Sequence, residues 1–223
     1  MIRGILIAGN ESSVLSAIEA EASKRVGKYA LAPISNRFSG TEPRPAAESA
    51  VRILLDWNPG SPVSARALVL AAENRLDHIG EAILVCNPPQ IRKDAADFSF
   101  TDVEMLINDH IKGWFFLVKE LASVFKVRGE GTLSLVYHDI HEAADDEETP
   151  DILGYSALAV FRSLTRSLLA SAFNEPYLTL GFTSSESGDD AGFAAFIFKQ
   201  LEEKNRRGNG KLHKYGKLGF LKK

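Results

Sequence analysis

Short apolar runs alternate with amphipathic segments along most of this 223-residue chain. The apolar runs have the length of strands, and the segments between them place apolar residues at helical spacing. The strand-like runs are 4–9, 29–35, 50–57, 81–89, 131–139, 177–182 and 210–221. The segments with helical spacing are 12–26, 63–78, 102–127, 152–173 and 190–206. Buried strands that alternate with helices predict a parallel sheet covered by helices on both faces.

Right-handed crossovers between parallel strands turn this order into one doubly wound α/β domain, which we expect to span residues 1–223. A composition of 45% hydrophobic and 25% charged residues is ordinary for a globular chain. The net charge of −3 gives no general attraction to nucleic acid, so we expect no nucleic-acid partner. The apolar runs are too short to cross a membrane. The lone cysteine, Cys86, favours a reducing, cytoplasmic location.

The turn after the first strand, AGNESSVLS at 8–16, contains a single glycine, Gly9. Strand–turn–helix joints of this kind open dinucleotide-binding domains, where glycines let the backbone approach a pyrophosphate at the helix N-terminus. Asn10, Ser12 and Ser13 offer donors to an anion at this place. The turn therefore indicates a nucleotide-type fold, while its low glycine content argues against tight phosphate binding.

Six segments, in the same order, resemble motifs of the short-chain dehydrogenases/reductases, and the resemblance covers nearly the whole chain. The segments are ILIAGNESSVLSAI (5–18), LLDW (54–57), HIGEAILVCNPP (78–89), HIKGWF (110–115), GTLSLVYH (131–138) and YSALAVFRSLTRSLLAS (155–171). The resemblance implies a Rossmann-like fold, an NAD(P) cofactor and a catalytic set of Asn, Ser, Tyr and Lys.

Most of the catalytic positions that the resemblance implies are replaced in this chain. His110 stands at the Asn position, and His138 stands at the Ser position. Tyr155 matches the catalytic Tyr, but Ala159 takes the place of the Lys that lowers the Tyr pKa and holds the nicotinamide ribose. The resemblance therefore covers the fold better than it covers the chemistry.

A register shifted by one residue places Gly154 at the Tyr position and Leu158 at the Lys position, so neither register supplies the lysine. Without a neighbouring cation, the pKa of a tyrosine stays near 10, and the phenol is a poor base at neutral pH. Acid–base work by His138 or His110 is the alternative. We predict that the chain has no catalytic residue.

The resemblance also implies a set of cofactor-binding positions. They are Gly9, Asn10 and Ser13 in the first turn, Arg37 for a 2′-phosphate, Asp56 beside the adenine and Asn87 beside the ribose. Leu15 falls on the third glycine position, and Pro88 and Pro89 remove two backbone donors near the cofactor. We expect no bound cofactor, with NAD(P) as the alternative.

Two connections are shorter than those of the family. Residues 36–49 are too few for a loop and a crossover helix, and 183–190 lead into the last helix without a substrate lid. A cleft without a lid stays open to water, which disfavours hydride transfer. We predict a binding or scaffold protein without dehydrogenase activity. The alternative is a divergent NAD(P)-dependent oxidoreductase.

His138 and His141, with Asp139 and Glu142, have a spacing that could bind a metal ion. Further acidic residues follow directly, at 145–148, and indicate a solvated loop instead. We predict no metal site.

The helices at 103–126 and 152–173 carry broad apolar faces. The family pairs through these two helices, so the resemblance implies a homodimer or homotetramer, with buried area from Trp114, Phe115, Phe116 and Phe161. The basic segment 204–223 could bind an acidic partner, but we favour an edge strand with solvated lysines.

Overall fold

Seven strands form one sheet in the computed structural model, which describes residues 4–34, 50–139, 151–186, 188–203 and 208–216. The strands are β1 Gly4–Asn10, β2 Lys28–Ile34, β3 Val51–Leu54, β4 Ile79–Cys86, β5 Thr132–His138, β6 Leu178–Ser184 and β7 Leu212–Tyr215. The α-helices are α1 Ser13–Arg25, α2 Pro62–Leu76, α3 Phe100–Ile107, α4 Gly113–Arg128, α5 Ile152–Ser171 and α6 Asp190–Glu203.

The strands lie in the order β3-β2-β1-β4-β5-β6-β7, and every neighbouring pair is parallel. This arrangement confirms the expected doubly wound, Rossmann-like α/β fold. The chain changes direction across the sheet between β1 and β4, and ligands of doubly wound proteins bind at the strand ends beside such a switch point. Gly9 pairs there with Pro33 of β2 and with Val85 of β4.

The core lies on both faces of the sheet, because alternate residues of each strand point to opposite faces. In β1, Leu6 and Ala8 pack in the cluster that contains residues of α2, α4 and α5. Ile5 and Ile7 pack in the cluster formed with α1 and α6. Strands buried on both faces need apolar residues at nearly every position, which explains the continuous apolar runs in the sequence.

The helix expected over 102–127 is divided into α3, a π-helical turn at Asn108–Lys112, and α4. The π turn ends at Gly113, where a Cβ atom would lie 2.6 Å from the Cβ of Pro59. The absent side chain thus lets the helix pass close to the segment before α2. The wider turn carries His110, which is completely buried.

Two of the aromatic residues expected at a subunit interface belong to the core instead. Trp114 and Phe161 are 1% and 0% exposed, and their rings meet edge to face with centroids 5.2 Å apart. The expectation was wrong for these two residues because they lie on the sheet-facing sides of α4 and α5. Phe115, by contrast, is 48% exposed.

The C-terminal segment contains the expected last strand, since β7 pairs with β6 at the edge of the sheet. The connection at 36–49 and the acidic segment with His141 and Glu142 lie outside the described residues. Among the described helices, none is long and apolar enough to cross a bilayer.

Candidate functional site

A cleft of about 330 Å³ lies at the carboxyl ends of β1, β2 and β4, beside the switch point. It is lined by Asn10, Glu11, Ile34, Asn87, Pro88, Pro89 and Gln90. Its lining therefore includes two of the predicted cofactor residues, Asn10 and Asn87. This is the place where doubly wound sheets bind their ligands.

The turn between β1 and α1 satisfies its own backbone. Ser12 is the N-cap of α1, and its Oγ accepts a hydrogen bond from the Leu15 amide at 3.1 Å. Ser13, one of the cofactor-binding positions that the resemblance implies, is exposed in the first turn of the helix. A side-chain cap occupies one of the few amide groups that a helix N-terminus can offer to an anion.

Gly9 is required by the packing of the sheet. A Cβ atom at this position would lie 2.6 Å from the Val85 carbonyl oxygen and 3.2 Å from Leu15 Cδ1. Leu15 itself is 4% exposed and packs with Val14 and Ile18 of α1 in the core. The close approach of β4 and Leu15 is therefore enough to explain why residue 9 is a glycine, and no ligand is needed for this explanation.

Asn10 and His110 meet at the end of β1, with 3.4 Å between Asn10 Nδ2 and His110 Nε2. Burial lowers the pKa of His110 to about 4, so the imidazole is neutral at pH 7. When the Asn10 amide donates to Nε2, the ring proton lies on Nδ1. Among the described residues, neither His110 Nδ1 nor Asn10 Oδ1 has a hydrogen-bond partner.

Of the remaining predicted cofactor residues, none that the structure describes is part of the cleft lining. Asp56 is exposed beyond the end of β3 and is not part of the cleft lining. Arg37 lies outside the described residues. Pro88 and Pro89 do line the cleft, and neither has an amide hydrogen to donate.

The start of α5 is fixed by Asp151, whose Oδ1 accepts hydrogen bonds from the Gly154 and Ile91 amides at 2.9 and 3.0 Å. Tyr155 follows in the first turn and is 40% exposed. Ala159 is exposed one turn later, where the resemblance implies a lysine. The α5 segment contains no lysine.

The cation of α5 nearest to the end of β5 is already paired. Arg162 forms an ion pair with Asp139, and its guanidinium carbon lies 5.7 Å from the centroid of the Tyr137 ring. Sequence reasoning did not find this pair. The signal that could have indicated it is an acidic residue directly after a strand, opposite an arginine on the following helix.

His138 also has a structural partner. Its Nε2 lies 3.2 Å from Asp190 Oδ1 at the start of α6, and its ring packs edge to face on Phe193. Burial lowers the pKa of His138, and the nearby Asp190 carboxylate opposes that shift. The pair connects the end of β5 to α6. No group of three metal-ligating side chains occurs in the described part of the chain.

Neither the protein-family models nor the curated proteins include a match to this sequence. Solved structures are similar over nearly the whole chain. An acetoin dehydrogenase from Salmonella typhimurium superposes with a TM-score of 0.74 at 13% identity, over 96% of this chain and 95% of that one. An NADH-dependent reductase complexed with NAD gives a TM-score of 0.71 at 13% identity, over 96% and 94% of the two chains.

A short-chain dehydrogenase from Mycobacterium smegmatis gives a TM-score of 0.70 at 11% identity, over 97% of this chain and 93% of the other. Similarity at this level of identity concerns the backbone and not the chemistry of a site. The chain therefore has the fold of the short-chain dehydrogenases/reductases.

Proposed function

We propose that this protein has kept the fold of a dehydrogenase and acts as a binding or scaffold protein without dehydrogenase activity. The observation that carries the proposal is Ala159, which is exposed one turn after Tyr155 on α5. In the family that the sequence resembles, an ammonium group at this position holds the nicotinamide ribose and favours the phenolate. A methyl group does neither.

The cation of α5 that lies nearest to Tyr155 in the sequence, Arg162, does not compensate for this loss. Arg162 lies about two turns beyond Tyr155 and forms the ion pair with Asp139. A guanidinium held by a carboxylate has less of its charge to offer to another group. The positions implied for Asn and Ser hold His110 and His138, and both imidazoles are engaged in contacts with other elements.

The cofactor side of the cleft supports the same proposal. Leu15 fills the space beside Gly9, and Pro88 and Pro89 bring no amide donors to the cleft. A pyrophosphate needs several backbone donors and close approach of the chain. The donor set among the described residues does not match that need, and we propose that the protein works without NAD(P).

A divergent NAD(P)-dependent oxidoreductase is the second candidate. It is favoured by the position of the cleft at the switch point, with Asn10 and Asn87 in its lining. One of the similar structures is an NADH-dependent reductase complexed with NAD. Under this candidate, His110 or His138 would have to take over proton transfer.

Calorimetric titration with NADH and with NADPH separates the two candidates. The proposal predicts that neither cofactor gives a saturable heat of binding at millimolar concentration. Binding at micromolar concentration of either cofactor would remove the simple form of the proposal. The Ala159→Lys variant tests whether the missing lysine limits the binding of NADH or NADPH. Ser163→Lys is the control, because Ser163 lies on the same exposed side of α5.

We also propose that the protein self-associates through α4 and α5, as a dimer or tetramer. Phe115 of α4 and Ile152 and Tyr155 of α5 are large side chains with 48%, 38% and 40% of their surface exposed. Analytical ultracentrifugation should show a dimer or tetramer that Phe115→Asp dissociates. A monomer at micromolar concentration would contradict this part.

We propose a reducing, cytoplasmic location as well. The lone cysteine, Cys86, is buried, which supports this location.

A further inference from the structure

We infer that the contact between Asn10 and His110 closes the cleft to a dinucleotide and leaves a site for an uncharged ligand of nucleoside size. The inference deepens the proposed function, because it names the class of molecule that the cleft would bind. It begins from the boundaries of the cleft. The residues that line it follow β1, β2 and β4, and none of those described comes from α4, β5 or α5.

The contact between Asn10 and His110 lies on one face of the sheet. Alternate residues of a strand point to the same face, so Asn10 points to the same face as Leu6 and Ala8, which pack in the cluster with α4 and α5. His110 reaches Asn10 from the π turn between α3 and α4. A ligand that extended from the cleft toward the end of β5 on that face would have to pass between these two side chains.

The volume agrees with a short ligand. About 330 Å³ lies at the lower end of the range for small-molecule sites, which is roughly 300–1,000 Å³. A dinucleotide consists of two nucleotides joined through a pyrophosphate. A single nucleoside is therefore the unit that a site of this size would accept.

The chemistry of the described lining residues selects against phosphate. Among the described lining residues there is a carboxylate, Glu11, and there are three side-chain amides, on Asn10, Asn87 and Gln90, but no lysine or arginine. Phosphate groups need cations or clusters of amide donors. Carboxylates and amides instead bind hydroxyl and N–H groups of uncharged ligands.

Asn10 provides the most specific recognition element. The residue is 6% exposed, and its Oδ1 atom has no hydrogen-bond partner among the described residues. Buried polar atoms are normally hydrogen-bonded, so this oxygen requires a donor. A hydroxyl or N–H group of the ligand would supply it, while Pro88 and Pro89 offer an apolar surface to a planar base.

The test compares four nucleosides with AMP and NADH in calorimetric titrations of the wild-type protein. At least one of adenosine, guanosine, cytidine and uridine should bind. Addition of the phosphate in AMP should weaken adenosine binding about tenfold or more, and NADH should not saturate. Tighter binding of NADH than of any nucleoside would overturn the inference. Failure of all four nucleosides at about 10 mM would also overturn it.

Two variants test the residues themselves, with folding checked by thermal unfolding. Asn10→Leu removes the acceptor at similar size and should weaken nucleoside binding about tenfold, whereas the exposed Asn174→Leu should leave it unchanged. His110→Ala should raise the affinity for NADH about tenfold or more, to saturable binding at millimolar cofactor. A folded His110→Ala variant that still shows no saturable NADH binding would contradict closure by His110. Turnover of NADH would instead refute the proposed function, so the two failures are distinguishable.

Discussion

Leu15 packs beside Gly9 so closely that its Cδ1 atom lies 3.2 Å from the place a Cβ atom of Gly9 would take. In the dehydrogenases that the sequence resembles, both positions are glycines of one phosphate-binding turn. In this protein the Leu15 side chain fills the space that Gly9 leaves open. The turn keeps its strand–helix geometry because packing requires it, and this packing does not involve a cofactor.

Gly9→Ala should destabilise the protein in the absence of any ligand. The new Cβ would lie 2.6 Å from the Val85 carbonyl oxygen, which belongs to the backbone of a central strand and cannot move easily. Overpacking of this kind costs about 1–3 kcal/mol. Urea unfolding measures the cost, and Gly27→Ala is the matched control because no atom lies within 4 Å of its Cβ position. Equal stability of the two variants would contradict the packing account of Gly9.

Leu15→Ala should lower the free energy of unfolding by about 2–5 kcal/mol, because it leaves a cavity in the core. The side chain is 4% exposed and packs in the cluster with α1 and α6. Leu70→Ala, at a position that is 52% exposed, should cost much less. If the two substitutions had the same effect, Leu15 would not be a core residue.

His110 should make the stability depend on pH. Burial lowers its pKa from 6.5 to about 4, so between these values the unfolded chain binds a proton that the folded chain does not. Stability must therefore fall as the pH falls through this window, by about 2 kcal/mol from about pH 7 to about pH 5. Urea unfolding at both pH values should show this decrease.

The His110→Gln variant should lose most of that pH dependence. A remainder is expected from His138, whose pKa is also lowered by burial. A variant that kept the full wild-type slope between the two pH values would show that His110 is exposed to solvent or titrates normally in the folded state.

Asp151→Ala should destabilise the start of α5 by about 1–2 kcal/mol. The substitution removes the cap on Gly154 and leaves the buried Ile91 amide without its acceptor. Asp151→Asn retains an acceptor oxygen and should therefore lose less stability than Asp151→Ala. Thermal unfolding compares the two variants. An equal loss of stability for Asn and Ala would mean that the carboxylate charge, and not the hydrogen bonds, matters.

The fold could be predicted because each element has a local signature. The runs around Ile5–Ile7 and Ile83–Val85 are apolar at every position, as strands covered on both faces must be. Ser12, at the N-cap of α1, marks the start of that helix in the sequence. Alternation of such elements leaves few topologies once right-handed crossovers are required.

The site could be predicted only in part, because its contacts join distant parts of the chain. Asn10 was a candidate from the turn, but its contact with His110 spans 100 residues and depends on a π turn that helical periodicity does not reveal. Trp114 is similar, since a broad apolar helix does not indicate which aromatic residue faces the sheet. Periodicity gives the faces of an element but not its rotation against its neighbours.

Hydride transfer itself is the most direct test of the proposed loss of activity. The protein would be incubated with NADH or NADPH and a broad panel of ketones, aldehydes and quinones, and with the oxidised cofactors and a panel of alcohols. The account predicts no change in cofactor absorbance above the rate in buffer. Cofactor turnover that is proportional to protein concentration and saturates with substrate would contradict it.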